Sequence, residues 1–354
     1  MKEQELNKTL PIYKLDYELV KSYENESLKY EIEEFDGENK IKKKIEPGIT
    51  HITVSPCEKY VIAGYTTGHI TIFDKKTTKV VKTLRDHRKK VLHIEMYKPE
   101  NKVLTCGEDG NIFIYDLSDF SLVNKIAHPF VKKYEKLIEI RFALVSKNME
   151  HIYFGSNNGC LYKCDKSSNY KPRIFVNPND MYPPEAYYLT SGVFSPDKKH
   201  IVFSSGSSLK FVDVKTGKVE KMIGETEDFI NDIVFHPLNE NIIVSWSEDG
   251  TITYWDIEAE HELFSFDASD TQGFSHLSFD STGHWLASGN DEVYVNIWDS
   301  VTKHQIGRIT NADVIDNMLN GSMFKAKSLL FTKDNQLLTC SYNGIANLWE
   351  LKQI

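Results

Sequence analysis

Short apolar runs, each ending on an aromatic or apolar residue followed by an acid, recur seven times along the chain. The copies are ITIFD to Asp74, IFIYD to Asp116, LYKCD to Asp165, LKFVD to Asp213, ITYWD to Asp256, VNIWD to Asp299 and ANLWE to Glu350. The steps between these acids are 42, 49, 48, 43, 43 and 51 residues, the period of a four-stranded unit and far too long for one hairpin. Within a period, apolar and polar positions alternate in segments separated by turn residues. The fifth copy is the clearest: NIIVSW, the turn SEDG, TITYWDI, the turn EAEH, then ELFSF. Turns rich in Gly, Asn and Asp precede other copies too, ending at Gly110, Gly159 and Gly344. The pattern predicts an all-β fold: a single seven-bladed β-propeller of four-stranded blades. Its inner strands are expected near 49–55, 91–97, 138–145, 188–195, 230–236, 274–280 and 327–332.

The terminal dipeptides and their turns resemble those of the WD-repeat family, over residues 48–354. Trp255, Trp298 and Trp349 occupy the Trp of that dipeptide, while Phe73, Tyr115, Cys164 and Val212 replace it. The resemblance implies that this Trp joins a Ser or Thr, a His before the blade and an Asp in the following turn. Blade two comes nearest, with His87, Thr105, Asp109 and Tyr115; blade five has Ser245, Asp249 and Trp255 without a matching His. Such sets tie a buried polar network together, so His87 is expected to be structural.

The last copy stops after a third strand, so another segment must close the ring. In resembling proteins an N-terminal strand does so. ENKIKKKIE at 38–46 is expected in that role, joined through Asp36-Gly37 to SLKYEIEEF at 27–35 as a hairpin on blade seven. The propeller domain then covers 27–354, and 1–26 is an N-terminal extension that fits no blade: a disordered tail, an extra strand or an arm that docks elsewhere.

No run of about 18 apolar residues occurs to span a bilayer as a helix, and the start MKEQELNKTLPIYK lacks the apolar core of a secretory signal. A cytoplasmic location, with cytoskeleton or cilium included, or a nuclear one is expected. Five cysteines, Cys57, Cys106, Cys160, Cys164 and Cys340, form no C-x-x-C pair, which argues against a disulfide framework or a zinc site. Cys160 and Cys164 share a side of one expected strand and are expected as core thiols. No nucleophile elbow, phosphate loop, H-E-x-x-H or dinucleotide fingerprint is present. No catalytic residue, cofactor, metal or small-molecule substrate is therefore expected, and His51, His93 and His151 read as strand residues.

The formal net charge of −9 disfavours nucleic-acid binding over the whole surface. The charge is uneven, however. Lys75, Lys76, Lys79, Lys82, Arg85, Arg88, Lys89 and Lys90 face only Asp86 within 75–90, whereas 256–270 holds six acids and no cation, with Glu225, Glu227, Asp228 and Asp232 extending that sector. This predicts a basic rim opposite an acidic one. Long connections at 128–139, 176–188 and 311–327 are expected on one face. Trp246 stands where other copies carry Gly64, Cys106, Gly155, Gly289 and Cys340, so it is expected either to reach that face or to fill a gap. The expected protein-binding set is Trp246, Phe130, Tyr134, Met181, Tyr182, Met318, Met323 and Phe324.

The reading is a non-catalytic protein–protein interaction scaffold, a subunit of an intracellular assembly of cytoskeletal, ciliary or RNA-processing type. Its partners would be other proteins of that complex, with no membrane insertion. A reader of short peptides or modified tails at the mouth, and an RNA-binding subunit using the Lys-rich rim, are the alternatives.

Overall fold

The computed structural model describes residues 14–28, 30–36, 39–45, 47–130, 138–177, 188–224, 226–268, 276–289, 294–310, 326–341 and 344–354. Seven antiparallel four-stranded sheets form a ring. Their inner strands are Ile49–Val54, Val91–Tyr97, Ile140–Val145, Leu189–Phe194, Ile230–His236, Leu277–Phe279 and Ala326–Phe331. Each packs against the inner strands of both neighbours, the seventh against the first. The second strands are mostly buried, as in Tyr60–Tyr65, although Asn239–Ser247 begins with three exposed residues, while outer strands such as Val80–Leu84 are mostly exposed.

Crowding near the channel explains the small residues ahead of the turns. A side chain at Gly155 or Gly192 would approach the Phe142 ring to 2.2 or 2.3 Å, so that ring is clamped between two backbones of adjacent blades. Most of the acids that end the repeats also have a local task. Asp74 Oδ1 accepts from the Thr77 amide at 2.7 Å, and Asp116, Asp213, Asp256 and Asp299 accept likewise two or three residues on. These Asx turns start the last hairpin of the blade. Asp165 departs from the pattern: a 3-10 turn, Lys166–Ser168, follows it, and its carboxylate instead meets His151 at 2.8 Å and Arg173 at 3.2 Å.

Ring closure corrects the sequence expectation. Leu15–Tyr23, within the segment expected to be an extension, is the fourth strand of blade seven, antiparallel to Ala346–Gln353 from Leu15↔Gln353 to Tyr23↔Ala346. Its alternation LDYEL is interrupted by Val20, where the register shifts between Leu19 and Lys21, and this bulge hides the strand from a period-two reading. Tyr17 packs edge-on against Trp349 at 5.8 Å. At the end of the strand Tyr23 Oη donates to the Lys75 carbonyl at 3.0 Å, and just beyond it Asn25 Nδ2 donates to Thr71 Oγ1 at 2.9 Å, tying blade seven to blade one. The expected hairpin does form, as Tyr30–Asp36 with Asn39–Ile45, but as a two-stranded sheet of its own.

Candidate functional site at the channel mouth

Every inner strand starts on the face where an outer strand hands over to the next blade. The first residues of these strands therefore ring one end of the channel, around a cavity of about 270 Å³. His51 of blade one, His93 of blade two and His276, just ahead of the sixth inner strand, converge there. The His51 ring lies 4.9 Å from that of His93 and 5.7 Å from that of His276. Lys90, Arg141, Ser191, Asn231 and Asp232 complete the polar wall.

Asp232 is well provided for. Its carboxylate accepts from Ser191 Oγ, the Ile233 amide and the Leu277 amide, each at 2.9 Å, and meets His276 Nδ1 at 3.4 Å. Burial pushes its pKa up, but the hydrogen bond and charge of His276 with the other donors outweigh that and hold it below the usual value. Burial drives His51 well below the ordinary imidazole range and His93 down to about 4, helped by the neighbouring imidazoles. Three buried nitrogens on this wall, His51 Nδ1, Arg141 Nε and Asn231 Nδ2, meet no hydrogen-bond partner among the described residues. Among the described residues, no group of three His, Cys, Asp or Glu side chains there could hold a metal ion.

A different histidine is locked into a blade. His87 Nδ1 meets Asp109 Oδ1 at 3.0 Å and its Nε2 meets Thr105 Oγ1 at 2.9 Å, while Asp109 also accepts from the Arg88 and Asn111 amides. Tyr115, in the Trp position, turns its hydroxyl to Asp86 at 3.0 Å. In blades five, six and seven, Trp255, Trp298 and Trp349 donate to Ser245, Ser288 and Thr339, each at 2.9 Å.

Of the expected binding residues, Trp246 is fully buried and cannot be a surface contact. It lies among Ala268, Leu277 and Leu286 between blades five and six, where small Ala268 and a three-residue inner strand give the indole room. Phe130 is half-buried, its ring 5.8 Å from that of His128. Tyr134, Met181, Tyr182, Met318, Met323 and Phe324 lie outside the described residues. On the basic rim, Lys76, Lys79, Lys82, Arg85, Arg88 and Lys89 are exposed. Lys75 departs from the expectation: it is buried and paired with Glu58 at 2.6 Å. Lys90 lines the cavity instead of the rim, and Asp232 belongs to the channel instead of the acidic sector. The sequence did carry a signal for the histidine layer: His51, His93 and His276 each stand 23 residues ahead of their repeat's acid, Asp74, Asp116 and Asp299.

Comparison with known proteins adds a family and several relatives. The family model described as "WD domain, G-beta repeat" matches residues 78–116 and 217–256. The guanine nucleotide-binding protein subunit beta of Zea mays is 21% identical over 76% of this chain and 70% of its own length. Eukaryotic translation initiation factor 3 subunit I of Dictyostelium discoideum is 26% identical over 53% of this chain and 55% of its own length. Pre-mRNA-processing factor 19 homolog 2 of Arabidopsis thaliana is 20% identical over 72% of this chain and 46% of its own length.

Proposed function

Because the chain belongs to the WD-repeat β-propeller family, we propose that it is a non-catalytic protein–protein interaction scaffold. It would serve as a subunit of a larger assembly of RNA-processing or cytoskeletal type, in the cytoplasm or nucleus. The observation that carries this reading is the rim. Outer strands of six blades expose large apolar side chains: Leu19 and Val20, Val80 and Val81, Leu122 and Val123, Ile174, Met222 and Leu263. Beside Val80 and Val81 stand the exposed Lys79 and Lys82. Such mixed edges suit protein partners, by side-chain packing or by addition of a strand, and their lysines discourage self-pairing. The relatives named as subunits of a G protein and of an initiation factor support the same reading. An RNA backbone would find two cations fewer on the rim than the sequence offers, since Lys75 is committed to Glu58 and Lys90 lines the channel cavity.

Cross-linking mass spectrometry on the endogenous protein, purified gently from its own cells, tests this reading. Reproducible links from the outer strands, Lys79 and Lys82 among them, to two or more proteins are expected. A protein that purifies alone, or with nucleic acid only, would overturn it.

A further inference from the structure

We propose that the groove between blades three and four, on the face opposite the channel mouth, binds a small molecule carrying two phosphate groups, held by Lys147, Lys163, Lys198 and Lys215. This goes beyond the scaffold reading and does not depend on which proteins dock on the rim.

Lys163 puts a cation in a core position. Two residues before the acid of their repeats, the other six copies carry buried apolar or aromatic side chains: Ile72, Ile114, Phe211, Tyr254, Ile297 and Leu348. The third copy has Lys163 there, and it is only 7% exposed. A buried ammonium costs stability unless it is paired. The protein supplies part of that pairing. The Tyr153 and Phe175 rings lie 5.4 and 5.3 Å from Lys163 Nζ, and the Asp165 carboxylate stands 3.8 Å away, beyond hydrogen-bond reach. The same carboxylate is shared with His151 at 2.8 Å and Arg173 at 3.2 Å. Burial accordingly pulls the Lys163 pKa below its ordinary value, against the opposing effect of Asp165.

This lysine lines a cavity of about 460 Å³, formed where the inner strands of blades three and four end. That volume falls among small-molecule sites, about 300–1,000 Å³. Lys147, Lys198 and Lys215, all exposed, line it too. The two blades bring their cations to one aromatic cluster. Lys198 Nζ lies 4.9 Å from the Phe194 ring, which meets the Tyr153 ring edge-on at 5.8 Å, and Tyr153 is one of the rings under Lys163. Among the described residues, no Asp or Glu lines the cavity. Asp213, just ahead of Val214 and Lys215 on the wall, is engaged by the Lys215 and Thr216 amides and the Thr216 hydroxyl.

Four ammonium groups set the charge of the ligand. A phosphate group carries about −1.5 to −2 at neutral pH, so two of them match four lysines, with Arg173 left to Asp165. One phosphate or one carboxylate would leave half of the charge or more unmatched. Lysines suit phosphate as point charges, without the bidentate geometry that arginine imposes.

Calorimetric titration of the full chain with inorganic pyrophosphate, ADP and orthophosphate tests the site. Saturable one-to-one binding of pyrophosphate and ADP is expected, about tenfold or more tighter than orthophosphate and weakened by added NaCl. Flotation with phosphatidylcholine vesicles containing phosphatidylinositol bisphosphate distinguishes the sources: capture of the chain identifies a lipid headgroup, and its absence beside pyrophosphate binding a free ligand. Lys163→Met and Lys198→Glu are each expected to weaken pyrophosphate binding by about tenfold or more, while Lys76→Glu on the basic rim leaves it unchanged. Lys163→Met installs an apolar side chain like those of the other six copies. If it fails to melt cooperatively, the exposed pair Lys198→Glu and Lys215→Glu carries the test. No saturable binding of pyrophosphate, ADP or the vesicles would overturn the proposal, as would binding that Lys76→Glu abolishes and the groove substitutions leave unchanged.

Discussion

His87 is buried and His51 half-buried in one repeat fold, yet their surroundings differ in kind. Both His87 nitrogens are engaged, and its partner Asp109 is in turn saturated by two backbone amides. The His51 ring instead meets two other imidazoles edge-on, and its Nδ1 has no hydrogen-bond partner among the described residues. A closed polar network fixes a single arrangement and so serves the blade. An open one retains desolvation costs that a ligand would relieve. The difference teaches that a buried histidine is judged by whether its hydrogen bonds close, not by burial alone.

The largest expected effect breaks the closed side. Asp109→Ala removes the acceptor for His87 and two amides, with an expected stability loss of about 3 kcal/mol in denaturant melts. A loss within about 0.5 kcal/mol, as at an ordinary surface position, would show that the network is dispensable. Next comes Ser245→Ala, which strands the buried Trp255 indole N–H. It should cost about 1–2 kcal/mol, and Ser245→Thr should restore most of that if the hydroxyl is what matters.

A third effect, about 1 kcal/mol per pH unit, separates the channel from its surroundings. His93 is held at about 4 by burial, below its ordinary value. The unfolded chain therefore binds the proton first, and this contribution, full above about pH 6.5, is lost as pH falls toward 4. His51 acts in the same sense. Glu95, two residues along from His93, is pushed by burial up to about 7. Its contribution is full below about pH 4.5 and is lost as pH rises toward 7. Between 4.5 and 6.5 the two senses oppose. Glu95→Gln should therefore steepen the rise of stability with pH relative to wild type, and His93→Asn should flatten it. Parallel profiles for all three proteins would remove both groups from the balance.

Much of the fold was legible because the repeat is strict. The repeat marked by seven acids placed inner strands at 91–97 and 230–236, where Val91–Tyr97 and Ile230–His236 are found. The closing strand escaped because one inserted residue, Val20, breaks the period-two pattern, while the hairpin at 30–45 has a cleaner pattern and a stronger turn signal. Trp246 escaped for another reason. Its aligned neighbours are small, but the space beside it depends on Ala268 and on the short sixth inner strand, which alignment within one blade does not reveal. The histidine layer was legible in principle through its constant 23-residue offset, yet each His alone reads as an ordinary strand residue. What makes the three a cluster is the closure of the ring, a long-range fact.

The smallest expected effect bears most directly on the open side. Asn231 is buried, and its Nδ2 makes no hydrogen bond with the described protein. Leu has nearly the same shape and no polar group to desolvate. If the wall is an unclosed network, Asn231→Leu removes a cost instead of a bond. Stability should then stay within about 0.5 kcal/mol of wild type or rise. The same change made inside a closed network would strand partners and cost several times more, as expected for Asp109→Ala. A loss above about 2 kcal/mol for Asn231→Leu would mean that Asn231 is held by the protein itself. The two histidine regions would then be alike in kind.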